Sequence, residues 1–208
     1  MSVASKPSTS RTSALLTYRT IDIVTVTTLA VAFGVAFWGW SQLYVVISNA
    51  WGVAFPPAAG LLGGPWLMAG VVGGLVVRRP GAAVVTELLA ATVEALLGSH
   101  WGFSTLAAGL VQGLGAELVL AVFLYRRFGL PVAVIAGAVA GAAESVYEWF
   151  SYYADWDLAY RLTHLVFFAF SGAVVAGLGG WMLVRALAAT GALDAFGAGR
   201  EHHEEHPA

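Results

Sequence analysis

Five glutamates lie inside long apolar stretches of the sequence: Glu87, Glu94, Glu117, Glu144 and Glu148. Those stretches contain no lysine or arginine that could pair with them. A carboxylate in hydrocarbon is costly unless a partner compensates it, so residues of this kind often mark a substrate or ion site. The chemistry that they could perform is the binding of a cation or of a hydrogen-bond donor. The ligand would then supply the positive charge that the helices lack.

The composition indicates the class of protein. Of the 208 residues, 59% are hydrophobic and 11% are charged, and the mean hydropathy is +0.77. Such a chain is too apolar for an ordinary water-soluble domain, so we expect one integral membrane domain. The net charge of -2, without a basic stripe, argues against nucleic acid as a partner. The absence of cysteine excludes disulfides, thiolate metal sites and cysteine nucleophiles.

Long apolar stretches predict the fold class, an all-α integral membrane protein built as a six-transmembrane-helix bundle. A spanning helix needs about 20 mainly apolar residues. Six stretches are candidates: 21–48, 58–77, 82–98, 103–125, 131–150 and 162–187. The third stretch is short. The second contains Gly60, Gly63, Gly64 and Pro65, which predict an irregular entry or a broken helix.

The basic residues predict the orientation of the bundle, because Lys and Arg in short loops favour the cytoplasmic side. Of the 10 basic residues, only Arg161 lies on the other side of the predicted helices. Both termini are therefore expected in the cytoplasm. We expect the membrane domain over 19–190, with disordered cytoplasmic tails over 1–18 and 191–208. The His- and Glu-rich end of the second tail could hold a divalent metal loosely, but its composition favours a solvated tail.

The polar residues lie at different predicted depths in the membrane. Glu87 lies about 12 Å into the membrane, at ~1.5 Å per residue, and Glu94 lies two turns further toward the outer side. Glu144 and Glu148 lie one turn apart near the outer end of their helix. Aromatic and imidazole rings are expected at the same level. The predicted substrate site consists of Glu87, Glu94, Gln112, Trp40, Trp101, Glu144, Tyr147, Glu148 and His164.

These residues also have structural interpretations. Gln112 could recognise the edge of a heterocycle, because an amide both donates and accepts, or it could join two membrane helices. Glu144 could be protonated and bonded to a backbone carbonyl. His164 could be a hydrogen-bonded structural residue, and the tryptophans could belong to an interfacial belt. Glu117, which lies deeper, could be structural or part of an inward coupling route.

Small residues recur at helical spacing in the first predicted span. Ala30 and Gly34 form one pair four residues apart, and Ala32 and Ala36 form a second. Small residues at this spacing let another helix approach closely. The pattern therefore predicts either a partner interface or packing within the bundle.

Several runs of residues resemble one family of membrane proteins. They are Asp-Ile-Val-Thr-Val at 22–26, and the runs at 31–38, 80–83, 87–91, 94–98 and 109–117. Through them the chain resembles the S component, the substrate-binding membrane subunit of an energy-coupling factor (ECF) vitamin transporter. The resemblance is closer to the YkoE family, which is associated with thiamine and its hydroxymethylpyrimidine precursor. It extends through most of residues 19–187.

This resemblance implies a non-enzymatic six-helix bundle that captures a vitamin from outside. It also implies partners, namely a transmembrane coupling protein of the EcfT type and two cytoplasmic ATPases. The spacing of Ala32 and Ala36 is similar to the small-residue surface through which such S components meet the coupling protein. The chain has no Gly-x4-Gly-Lys-Ser/Thr phosphate loop, so ATP hydrolysis is expected from the partners. No cofactor is expected.

The chemistry of thiamine fits the residue types in the predicted site. A thiazolium cation calls for carboxylates and aromatic faces, and an aminopyrimidine edge calls for an amide or carboxyl. Hydroxymethylpyrimidine or a thiazole relative remains open as the ligand. Two other classes also remain open. Glu94, Glu144, Glu148, His100 and His164 could serve a divalent metal-ion permease subunit of the cobalt type. An intramembrane metal-dependent enzyme is a weaker alternative, because the sequence contains no His-Glu-x-x-His motif.

Overall fold

Helices form the regular structure in the computed structural model of the chain, which describes residues 17–51 and 55–205. In chain order they are α1 (Thr20–Trp51), α2 (Met68–Val77), α3 (Ala82–Leu96), α4 (Ser104–Val122), α5 (Leu130–Ser151), α6 (Leu158–Ser171), α7 (Gly180–Ala189) and α8 (Gly197–Glu205). Two 3-10 helices, Pro56–Leu62 and Gly64–Leu67, precede α2, and a π-helical stretch, Gly172–Gly179, joins α6 to α7. No strand occurs in these residues. The all-α prediction is confirmed.

Helix length limits how many segments can cross a bilayer. By length and hydropathy, the described residues contain four candidate spans: Thr20–Asn49, Ser104–Val122, Leu130–Ser151 and Leu158–Ala189. The pair Pro56–Leu62 and Gly64–Val77, bent by 42°, would make a fifth. Helix α3 has 15 residues, which extend about 22 Å and so fall short of the ~30 Å hydrocarbon core. The count of six spans stays a prediction.

The second apolar stretch is broken where its glycines and prolines predicted. Its first part consists of the two 3-10 helices, and α2 begins only at Met68. Ser171, the last residue of α6, anchors the break to that helix. Its hydroxyl accepts a hydrogen bond from the Gly64 N–H at 3.0 Å and donates to the Leu61 carbonyl at 2.7 Å. The break is therefore fixed by cross-helix bonds.

Helix α2 forms the centre of the bundle, with nine of its residues, 69–77, buried. Around it, α1 packs on α3, α3 on α4, α4 on α5, and α5 on α6 and the π-helical stretch. Glycine makes the last contact possible, because a Cβ at Gly137 would collide with the Gly172 carbonyl oxygen and a Cβ at Gly172 with that of Gly137. Close backbone packing thus fixes the helices that carry the polar residues.

The two small-residue pairs of α1 lie on different faces. Ala30 and Gly34 are buried against α3, where a Cβ at Gly34 would collide with Val93. Ala32 and Ala36 are exposed. Because α1 turns about 100° per residue, a two-residue offset moves the second pair away from the bundle. Ala30 and Gly34 therefore serve internal packing, and a partner interface at Ala32 and Ala36 stays a prediction.

The C-terminal segment differs from the disordered tail predicted over 191–208, because residues 197–205 form helix α8. Leu193 and Phe196 anchor the segment in the hydrophobic core, where they are 5% and 3% exposed. The His- and Glu-rich composition of the end concealed this short apolar anchor. Most of the predicted N-terminal tail, residues 1–16, lies outside the described residues, as do residues 206–208.

Glu117 holds the start of α3 in place. Its carboxylate accepts hydrogen bonds from the backbone N–H groups of Gly81 at 2.6 Å and Ala83 at 2.9 Å, and from the Tyr125 hydroxyl at 2.6 Å. The first N–H groups of a helix have no partner within the helix. Gly81 adopts φ of 87°, a left-handed conformation that favours glycine. Glu117 thus caps a neighbouring helix, which supports the structural interpretation of this residue.

We expect Glu117→Ala to lower the free energy of unfolding by about 1–3 kcal/mol, because buried donors at the start of α3 lose their acceptor. Glu117→Gln keeps one acceptor oxygen and should cost less. The measurement is thermal unfolding in detergent, with Glu204→Ala as the control because Glu204 is exposed on α8. Equal stability of the Glu117→Ala and Glu204→Ala variants would contradict the capping role.

Candidate functional site

A cavity of about 230 Å³ lies between the helices at the end of the bundle that contains the C-terminal halves of α3 and α5. Residues of α1, of the 3-10 helices and of α3 to α6 form its wall. Six of the nine predicted site residues line it: Glu94, Trp101, Gln112, Glu144, Glu148 and His164. The structure therefore brings most of the predicted set together in one place.

Three aromatic rings form one wall of the cavity. The Trp66 and Trp101 rings are perpendicular, with centroids 5.2 Å apart. Tyr44 contacts both, with ring centroids 5.3 Å from Trp66 and 5.4 Å from Trp101. Such a cluster offers π faces to a flat ring or a cation. Below, these three residues are called the aromatic wall.

Glu94 is fixed beside the aromatic wall by its hydrogen bonds. Its Oε1 accepts from the Ser41 hydroxyl, from the Ser99 hydroxyl at 3.2 Å and from the Trp66 indole N–H at 3.3 Å. The other oxygen, Oε2, receives no hydrogen bond from the part of the chain that the structure describes. The carboxyl group is therefore held in position with one oxygen left for a ligand.

A second acidic group lies on α5. Glu144 and Glu148 are one turn apart and both line the cavity. The Gln112 side chain lines the same cavity as the Glu144 carboxyl. Glu144 Oε2 is buried and has no hydrogen-bond partner among the described residues. A buried polar atom without a partner is costly, so it indicates a group that a ligand can complete.

His164 is held at both ring nitrogens. Its Nε2 lies 3.4 Å from Glu148 Oε2, and its Nδ1 lies 2.8 Å from the Ser145 hydroxyl. The Tyr153 ring packs against the imidazole at a centroid distance of 5.3 Å. These contacts satisfy the expectation of a hydrogen-bonded histidine, and they also place the imidazole against the acidic group of the cavity.

Three predicted site residues do not line the cavity: Glu87, Trp40 and Tyr147. Glu87 lies beneath it, where the Gly70 N–H donates to Oε2 at 2.5 Å and the close approach of α2 covers the side chain. The Trp40 indole N–H donates to the Leu62 carbonyl at 3.0 Å, outside the cavity. Tyr147 packs edge-on against Tyr152. Helix rotation and the neighbouring backbone decide these positions.

Several cavity residues were not in the predicted set. They are Phe37, Tyr44, Ala59, Gly63, Trp66, Ala91, Thr105, Ala108, Tyr152, Tyr153 and Phe168. Helical spacing could have identified part of this set, because Phe37, Ser41 and Tyr44 follow the i, i+4, i+7 pattern of one face of α1. Trp66 lies in the broken stretch, where no helical period could place it.

Carboxylate and imidazole side chains such as these could also serve as metal ligands. Within 17–51 and 55–205, no group of three or more His, Asp or Glu side chains is arranged to hold a metal ion. Glu94 binds three neutral donors, while Glu144 and Glu148 belong to a different helix. The acidic residues thus form two separate groups.

Comparisons with known proteins agree with this architecture. Residues 21–143 match the family described as "ABC-type cobalt transport system, permease component". The chain is 35% identical over 182 residues to the HMP/thiamine permease protein YkoE of Bacillus subtilis (strain 168), a match that covers 86% of this chain and 89% of that protein. A solved structure, the crystal structure of an S-component of an ECF transporter, superposes with a TM-score of 0.85 at 34% identity and covers 91% of this chain and 95% of its own.

The indole N–H of Trp66 reports directly on the Glu94 contact. In Glu94→Ala we expect its proton NMR resonance to move upfield, because a hydrogen bond to a carboxyl group is lost. The Trp40 resonance should stay in place, since its acceptor is the Leu62 carbonyl. Assignment would use Trp66→Phe and Trp40→Phe. If the Trp66 resonance does not move, the Glu94 anchor described above is wrong.

Proposed function

Because the chain belongs to the S components of ECF transporters, the substrate-binding membrane subunits of these importers, we propose that its substrate is thiamine or the hydroxymethylpyrimidine precursor. In this proposal the protein captures the substrate from outside the cell and passes it inward with ATP-hydrolysing partners. The relative named for HMP and thiamine supports the substrate class. The chemistry of the cavity supports it independently.

The observation that carries the proposal is an aromatic cavity with an incompletely bonded carboxyl group from each of two helices. Near Glu94, the aromatic wall can stack on a heterocycle while Oε2 faces positive charge. At Glu144, the unpartnered Oε2 can accept from an amino group, and the Gln112 amide can meet a ring nitrogen. Thiamine carries both features, a thiazolium cation and an aminopyrimidine. Hydroxymethylpyrimidine carries only the second.

The remaining predicted residues have assigned roles in this proposal. His164 and Glu148 form the polar wall beside Glu144, and Trp101 stacks on the ligand. Glu87 is proposed as the floor beneath the cavity, because its buried Oε1 has no partner among the described residues. We assign Trp40 and Tyr147 no direct ligand contact, since neither lines the cavity.

We also propose that the protein spans the plasma membrane six times with both termini in the cytoplasm. Nine of the 10 basic residues then lie on the cytoplasmic side. The cavity lies at the opposite end of the bundle, facing the outside. The exposed Ala32 and Ala36 are proposed to contact the EcfT-type coupling protein, which two cytoplasmic ATPases would drive.

The description of the matching family favours one rival, a cobalt-type metal permease subunit. That function would need several oxygen or nitrogen ligands around one ion. The described residues offer no such group of three. An intramembrane metal-dependent enzyme would need the same kind of group.

Purified protein should bind thiamine in isothermal titration calorimetry, and Glu94→Gln, Gln112→Ala and Glu144→Gln should each weaken binding by about tenfold or more, which corresponds to ~1.4 kcal/mol. Glu204→Gln, on the exposed face of α8, is the matched control. Hydroxymethylpyrimidine should be titrated in parallel. Its affinity should depend on Glu144 and Gln112 but little on Glu94, and this difference distinguishes the two ligands.

The same titration with a chelator tests the rival. The chelator should not change the affinity for the vitamin. Binding of Co²⁺ without binding of either vitamin would favour the metal permease. Unchanged affinity in both Glu94→Gln and Gln112→Ala would refute the assignment of the cavity as the substrate site.

If Ala32 and Ala36 contact the coupling protein, substitutions there should reduce transport without changing substrate binding. Ala32→Leu with Ala36→Leu should leave thiamine affinity unchanged but reduce vitamin uptake in cells by about tenfold, because larger side chains keep the partner helix away. Val31→Leu with Val35→Leu, on a neighbouring exposed face of α1, is the control. Normal uptake by the alanine variants would remove this face from the proposed interface.

A further inference from the structure

A second cavity, of about 190 Å³, lies at the opposite end of the bundle from the first. The end of α2, the connection between α4 and α5, helix α7 and helix α8 enclose it. Its lining includes Arg78, Phe128, Trp181, Arg185, Glu201 and Glu205. Nothing in the substrate proposal uses this cavity.

Two arginines form its rim, and each is seated on an aromatic ring. The Arg78 guanidinium lies 4.5 Å from the centroid of Phe128, and that of Arg185 lies 5.2 Å from the centroid of Trp181. An aromatic platform restrains a guanidinium and leaves its N–H groups free to bind a planar or tetrahedral anion. Beneath the rim, the wall is apolar, formed largely by Leu75, Val184 and Ala188.

Two glutamates of helix α8 form ion pairs with these arginines. Arg78 forms two hydrogen bonds to Glu201, of 2.5 Å and 2.7 Å, and Arg185 forms one of 2.8 Å to Glu205. The bonds from Arg78 hold the pKa of Glu201 below its usual range, so the carboxylate stays ionised at neutral pH. The Glu201 and Glu205 side chains are 57% and 52% exposed. Because both carboxylates are more than half exposed, another anion can reach the arginines and compete, most easily at the single bond between Arg185 and Glu205.

The cavity lies where spanning segments end. Arg78 directly follows α2, and Arg185 lies near the end of the candidate span Leu158–Ala189. Lipid phosphates occupy this level of a bilayer, and arginines here attract anionic headgroups. A soluble anion would use the guanidinium rim alone. A lipid would in addition cover the apolar wall with its glycerol and first acyl carbons, and this favours a lipid as the occupant.

We propose that this cavity binds the phosphate headgroup of an anionic phospholipid, for which the glutamates of α8 substitute when no lipid is bound. Arg78 and Arg185 contact the phosphate, and the Trp181 ring and the apolar wall contact the glycerol region. Lipid binding displaces Glu201 and Glu205 while Leu193 and Phe196 keep the base of the segment anchored. The inference is independent of the substrate of the first cavity.

The test uses the full chain in neutral detergent, with bound phosphatidylglycerol counted by native mass spectrometry over a titration. Arg78→Gln with Arg185→Gln should weaken binding by about tenfold, as expected when a doubly held phosphate loses its partners. Glu201→Gln with Glu205→Gln should strengthen it several-fold, since the competing carboxylates are gone. The second pair leaves the cavity wall intact, so it tests the proposal even if the arginine pair fails to fold.

Arg126→Gln with Arg127→Gln is the matched control, because both residues are exposed at the same end and do not line the cavity. An equal loss of phosphatidylglycerol in this control would overturn the proposal in favour of general surface charge. Unchanged affinity after removal of the two glutamates would also overturn it. Free glycerol 3-phosphate should not displace bound phosphatidylglycerol. Phosphatidylcholine should not bind in its place. Competition by glycerol 3-phosphate as effective as that of the lipid would assign the site to a soluble phosphate instead.

Discussion

Carboxylates buried in hydrocarbon without a cation are the constraint around which this fold is organised. Each one needs hydrogen-bond donors or a ligand, because α3, α4 and α5 contain no lysine or arginine that could pair with it. Glu117 takes its donors from the backbone at the start of a neighbouring helix. Glu94 takes side-chain donors at one oxygen. Glu144 keeps an oxygen without any. A carboxyl group that is fully hydrogen-bonded within the protein has no acceptor oxygen left for a substrate.

Close backbone packing makes these bonds geometrically possible. The contact between Gly137 and Gly172 brings α5 and the π-helical stretch together at a distance that side chains would prevent. Gly70 similarly lets its N–H reach Glu87. In a membrane, where helices gain nothing from expelling lipid, such small-residue contacts are a main source of specific packing. Close packing of this kind therefore fixes the positions of the helices that carry the polar groups.

The sequence was most informative where the signal was chemical or periodic. Unpaired charge in an apolar run identified Glu94, Glu144 and Glu148, and all three line the cavity. The sequence could not distinguish these three from Glu87, which shares a helix face with Glu94. Glu87 is covered by Gly70, whose position depends on tertiary packing. Trp66 escaped prediction for a related reason, since its 3-10 helix has only 4 residues and is too short to show a hydrophobic period. The apolar pair inside the acidic C-terminal segment was masked by its surroundings.

The capping role of Glu117 has an evolutionary consequence. The fold depends on this carboxylate at one end of α3, whereas recognition in our proposal depends on Glu94 at the other end of the same helix, seven residues beyond Glu87. Structural and recognition demands are thus placed on different residues of one helix and its neighbour. A lineage that keeps this cap can exchange the groups around the first cavity, and in our proposal also the nutrient that it takes up, while the helical scaffold stays the same.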